Sequence, residues 1–136
     1  MKHFTDIKSY EDACKRLGIE VLYNVTVGIK IKIIAAALNS FDTNVTGKFP
    51  DWGNTSQHKY YPYFLYSCGV SRFYGSSHFF ADRFSVMVSY LKSRELSDYM
   101  GNHFISLYKE FQEEDIIALL PTISLTREDI MKQLIL

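Results

Sequence analysis

The hydrophobic period of this chain changes across one segment, FPDWGNTSQHKYYPYF, residues 49–64. Before it, apolar residues recur at helical spacing; from Lys59 onward they alternate. A 3.6-residue stripe can be buried only as a helix and a two-residue alternation only as a strand. After Ser93 the period is helical again. The chain therefore runs from helices through a sheet segment to helices again, an α+β fold with one sheet face covered and the other partly wet. We expect two N-terminal helices, a small antiparallel sheet of about three strands and covering C-terminal helices.

The first helix is predicted over Ser9–Leu17. Ser9 can cap it, Tyr10, Ala13, Cys14 and Leu17 share one face, and Gly18 can end it in the left-handed conformation. Cys14 then reads as a small core residue rather than a nucleophile. Ile19–Val27 is ambiguous: β-branched, yet poorly alternating. Ile29–Leu38 reads as a second helix with Ile31, Ile34, Ala35 and Leu38 inward. Phe41–Gly53 is a loop by its Asp, Asn, Gly and Pro content.

Tyr60–Ser67 reads as a strand, and Pro62 places it at an edge. Gly69–Gly75 carries turn signals, although Val70–Tyr74 can pair. The best strand pattern lies in Phe79–Leu91, where Phe84, Val86, Val88 and Tyr90 alternate with more polar residues. Ser93 opens the strongest helix, predicted to run to Phe111 with Leu96, Met100, Phe104, Leu107 and Phe111 facing the Phe84 strand. Gly101 within it marks close packing. Residues 112–136 read as a helical tail that docks on the body or dimerises, because Ile130, Leu134 and Leu136 are too apolar for water.

At 136 residues the chain fits one domain, 1–136, large enough for a core without staples. Basic and acidic residues are both 15, so no global field draws in nucleic acid or an anionic membrane, and self-association is unopposed. No signal peptide is read at the start and no apolar run reaches the ~20 residues of a membrane span. The expected location is cytoplasmic. The three glycosylation sequons, starting at Asn24, Asn44 and Asn54, then read as chance matches.

The segments IIAAALNSF, FPDWGNTSQHKYYPYF and YLKSRELSDYMGNHFISLYKEF together resemble a group of small uncharacterised proteins encoded by phages and mobile elements of gut bacteria. Asp51-Trp52, Asn54, Gln57, the run Lys59–Phe64, and Leu91-Lys92-Ser93 through Tyr108 carry the resemblance. It covers roughly Ser9–Phe111 of a one-domain chain. The part after Phe111 is longer than in that group, and Ile19–Ile29 is shorter and more β-like. The resemblance implies a phage-related accessory protein and implies no activity.

No catalytic constellation is legible. The histidines His3, His58, His78 and His103 lack the paired spacing of a zinc site, and Cys14 and Cys68 match neither a metal nor a redox motif. A Cys68–His78 nucleophile and base is conceivable only if a hairpin joins them; a strand end and a loop are the simpler roles. No phosphate loop, dinucleotide fingerprint or nucleophile elbow occurs. The reading is therefore no catalytic residue, no metal and no cofactor.

What remains is aromatic and basic interleaving. Thirteen of 21 aromatics fall between Phe49 and Tyr90. Rings with polar tips suit a wall that is dry on one side and wet on the other, either a binding surface or a core edge. The candidate binding residues are Trp52, Lys59, Tyr61, Tyr63, Arg72 and Arg83. The expected role is a non-catalytic interaction module with a protein partner or a second copy of itself. The alternative is single-stranded nucleic acid, with Lys59, Arg72 and Arg83 on phosphates and Tyr61 or Tyr63 stacking on bases. If the segment is structural instead, Trp52 packs on Tyr61 or Tyr63, and Asp51 and Asn54 bond nearby backbone amides as turn-formers.

Overall fold

The structure is a computed structural model and describes residues 1–51, 53–54, 56–67, 70–79 and 89–111, with backbone alone for 63, 65–67, 70–74 and 76–79. The α+β class holds. A short 3-10 turn at Phe4–Asp6 precedes α1 (Tyr10–Leu17) and α2 (Val27–Asn39); the strands β1 (Lys59–Ser67) and β2 (Val70–Phe79) follow, then α3 (Arg94–His103). Residues 105–111 are helical as well. The predicted tail, with Ile130, Leu134 and Leu136, lies outside the described residues, as do Phe84, Val86 and Val88.

The first helix forms for the reasons its sequence gives. Ser9 Oγ accepts the Asp12 N–H at 3.1 Å, and the Asp12 carboxylate accepts the Lys8 N–H at 3.0 Å. Gly18 turns left-handed at φ 69° and lets the Ile19 N–H reach the Cys14 carbonyl. Tyr10, Ala13 and Cys14 are buried as expected. The second helix starts two residues before the predicted Ile29, because Thr26 Oγ1 caps it by accepting the Ile29 N–H. Residues 19–26, left ambiguous by their composition, are irregular.

The sheet departs from expectation in two ways. Gly75 does not mark a turn: β2 runs through it, pairing antiparallel with β1 from Lys59↔Phe79 to Ser67↔Val70, with an irregularity at Tyr63/Phe64. The three-strand antiparallel sheet is not seen among the described residues. Instead β1 carries β2 on one edge and a single bridge, Tyr60↔Leu91, on the other. Tyr60 and Leu91 exchange both backbone hydrogen bonds, at 3.0 and 2.8 Å. Two residues along β1, on the same edge, stands Pro62, which has no N–H to offer. That missing donor explains why pairing on this edge does not continue toward Ser89, and it agrees with the edge position expected of a strand that carries a proline.

The last long helix is not continuous. It breaks at Phe104, with φ −110° and ψ 27°, and resumes at 105. Its apolar stripe also has partners other than those predicted. Leu96, Met100, Phe104 and Tyr108 join Ile7, the inner faces of α1 and α2, and Leu91 in one buried cluster. The two N-terminal helices bring apolar faces of their own, so the sheet is not the only surface that can cover the stripe. α3 also touches both strands.

Candidate functional site

The segment leading into β1 is held by its own polar side chains. Asp51 Oδ1 accepts the Gly53 N–H at 3.1 Å and Asn54 Oδ1 accepts the Ser56 N–H at 3.0 Å, two Asx-type turns in succession. Gln57 closes them by accepting from Asp51 N–H at 2.7 Å and donating to the Lys48 carbonyl at 3.0 Å. Lys59 is fully buried. Its ammonium donates to the carbonyls of Asn54 at 3.1 Å and Gln57 at 2.9 Å. A buried ammonium needs such partners because its desolvation is otherwise uncompensated. The turn-forming roles expected of Asp51 and Asn54 are as observed. Lys59, however, is no surface cation: it sits inside the loop it closes, out of reach of a phosphate on the sheet face.

Of the other predicted binding residues, Tyr61 is half-buried and meets Tyr90 edge to face at 6.1 Å. Trp52 and Arg83 lie outside the described residues. Tyr63 and Arg72 are placed by backbone only, opposite Gly75 and Leu65 in the ladder. Lys59, Tyr61 and Tyr63 thus occupy alternate positions of β1, and Arg72 stands on the strand paired with it.

Beside this loop an open cleft of about 440 Å3 lies between α2, the loop after it and residues 89–92. Lys32, Ala35, Ala36 and Asn39 line one wall at the i, i+3, i+4, i+7 spacing of one helix face. Phe49, Pro50, Tyr90 and Lys92 are among the residues opposite. Asn39 sets the shape: its Nδ2 donates to the Tyr90 carbonyl at 2.9 Å and its Oδ1 accepts the Lys92 N–H at 2.8 Å. One side chain thus supplies the two hydrogen bonds a neighbouring strand would make, while Tyr60 holds Leu91 from the other side. Lys92 Nζ reaches back to the carbonyls of Val45 at 3.3 Å and Asp42 at 3.5 Å. Ser40 is occupied too, accepting from Arg16 Nε at 2.8 Å and donating to Ala37 O at 2.6 Å. Sequence reasoning missed this cleft, since Asn39 finds its partners more than 50 positions away.

A second exposed feature is apolar. Leu22 and Tyr23 stand 55% and 69% exposed between α1 and α2, flanked by exposed Ile19 and Ile29. Val21 and Val25 pack inward beside them. The buried Tyr10 donates its hydroxyl to the Leu22 carbonyl at 2.7 Å, so the backbone that presents Leu22 and Tyr23 is anchored to the core.

Among the described residues no group of three or more His, Cys, Asp or Glu side chains is placed to hold a metal ion. No helix of the described residues is long and apolar enough to cross a membrane. Neither a family model, nor a curated protein, nor a solved structure matches the chain.

Proposed function

We propose that this chain is a non-catalytic binding module, an accessory protein of phage or mobile-element type, that engages a protein partner through Leu22 and Tyr23. The observation that carries this reading is the Tyr10–Leu22 hydrogen bond, which anchors to the core the backbone bearing two exposed, large apolar side chains. Exposed apolar groups held in place are what an interface anchor requires. The partner is a protein with an apolar pocket rather than a second copy of this chain. Four partly exposed side chains offer a few hundred Å2, well below the ~800 Å2 per partner of a standard interface, so they serve as knobs for a pocket.

The test is the double variant Leu22→Ser, Tyr23→Ser. Its folding stability should stay within about 0.5 kcal/mol of the parent, because both side chains are more than half exposed. A photo-crosslinker at position 23 identifies the neighbour in cells, and the purified neighbour should then bind the double variant at least tenfold more weakly. A large stability loss would make the two side chains structural, and unchanged affinity would exclude the loop. A halved mass in light scattering of the double variant would replace the heterologous partner with a homodimer. Saturable anisotropy of labelled single-stranded oligonucleotides, unaffected by the variant, would favour nucleic acid.

A further inference from the structure

We propose that the cleft between α2 and residues 89–92 is a binding site for a small organic anion that carries a flat apolar group. The described lining residues include two lysines, Lys32 and Lys92, and no aspartate or glutamate. Most other polar groups there are already committed: both ends of the Asn39 amide and the Ser40 hydroxyl serve the fold. Lys32 differs, being exposed and without a hydrogen-bond or ion-pair partner among the described residues. Lys92 gives two long hydrogen bonds to carbonyls, and an ammonium has three donors, so one remains for a ligand. Two ammonium groups with donors to spare, and no carboxylate among the described lining residues, favour an anion.

The apolar lining sets the rest of the ligand. Ala35 and Ala36 leave the helix wall low, and Phe49, Pro50 and Tyr90 face it. A slot between alanine methyls and rings suits a planar group. The volume, about 440 Å3, lies within the ~300–1,000 Å3 range of small-molecule sites. The shared chemistry is a phosphate or carboxylate attached to an aromatic ring system.

The experiment is a 1H–15N titration of the full chain with adenosine monophosphate, 1-naphthoate and, as neutral controls, adenosine and 1-naphthalenemethanol. Both anions, or one of them, should move the Asn39 side-chain, Gly47 and Lys92 amide signals saturably, and the neutral controls should not. A response to the nucleotide alone assigns a phosphate ligand; a response to naphthoate alone assigns a carboxylate. Lys32→Glu should weaken binding at least tenfold. Ala36→Phe, which fills the slot and leaves both lysines in place, should abolish it. Both positions are exposed, so the spectra of the variants report folding directly. No saturable shift at millimolar anion, equal binding of the neutral controls, or an unaffected Lys32→Glu variant would each overturn the assignment.

Discussion

In the helical core Ile7, Ile31, Ile34, Leu38 and Met100 lose all exposure among other apolar groups, whereas where the loop enters β1 a lysine, Lys59, is fully buried. The core is bound by burial, which is proportional to area and indifferent to direction. The loop is bound by directed hydrogen bonds, Asp51, Asn54 and Gln57 to backbone and Lys59 to two carbonyls. The difference predicts different responses to substitution. The core should register lost volume, and the loop should register lost chemistry at constant volume.

The largest effect is expected in the core. Phe104 is 4% exposed and stands where the last helix breaks. Phe104→Ala should cost about 3–5 kcal/mol in chemical denaturation. A loss under about 1 kcal/mol would mean that the cluster does not depend on this ring, and the contrast with the loop would fail at its first term.

Lys59→Met keeps the length of the side chain and removes its donors. The Asn54 and Gln57 carbonyls then lose a buried partner, which should cost about 1–3 kcal/mol. The local signature is sharper than the global one: amide exchange at Asn54, Ser56 and Gln57 should accelerate while the α1 and α2 amides stay protected. Uniform acceleration would show that loop and core unfold as one unit and are not separately held.

The same contrast decides what the sequence reveals. Periodicity is local, so α1, the inner face of α2 and the starts of the helices at Ser9 and Ser93 are legible. Asp51 and Asn54 are legible as turn-formers because their bonds close within two residues. Lys59 reads as a surface cation because charge is a property of the residue while burial is a property of its surroundings. The break at Phe104 interrupts an unbroken apolar stripe, so the pattern carries no trace of it. The cleft is illegible for a different reason: its two lysines come from segments joined by long-range bonds, among them those of Asn39 across 51 and 53 positions.

Asn39 tests the border between the two regimes, being a polar clamp at the end of an apolar helix. Asn39→Ala removes two hydrogen bonds from a partly buried pair of backbone groups and should cost about 1–2 kcal/mol. Asn39→Asp keeps the acceptor for the Lys92 N–H and loses only the donor to the Tyr90 carbonyl, so it should fall between parent and alanine at neutral pH. Equal losses would mean that the Tyr90 bond carries the whole clamp.

The smallest effect is at the N-terminal turn, which uses the polar method of the loop with none of its burial. Asp6 Oδ2 accepts the Lys2 N–H at 3.0 Å and the His3 N–H at 3.2 Å. The His3 amide, then the Lys2 amide, are the main causes that hold its pKa below the ordinary value of 3.8. A carboxylate whose folded pKa is depressed contributes its stabilisation above its unfolded value and loses it as pH falls through the folded one. The turn should therefore be intact at pH 5 and open only below pH 3.8. Full exposure confines the effect to local signals: the Lys2 and His3 amides should titrate together with one midpoint below that value, and the melting temperature should barely respond to Asp6 itself. Asp6→Asn should remove the shared titration. A midpoint at or above the ordinary value would show that water competes successfully for the carboxylate, and that hydrogen bonds of this kind hold the chain only where, as around Lys59, burial excludes the competitor.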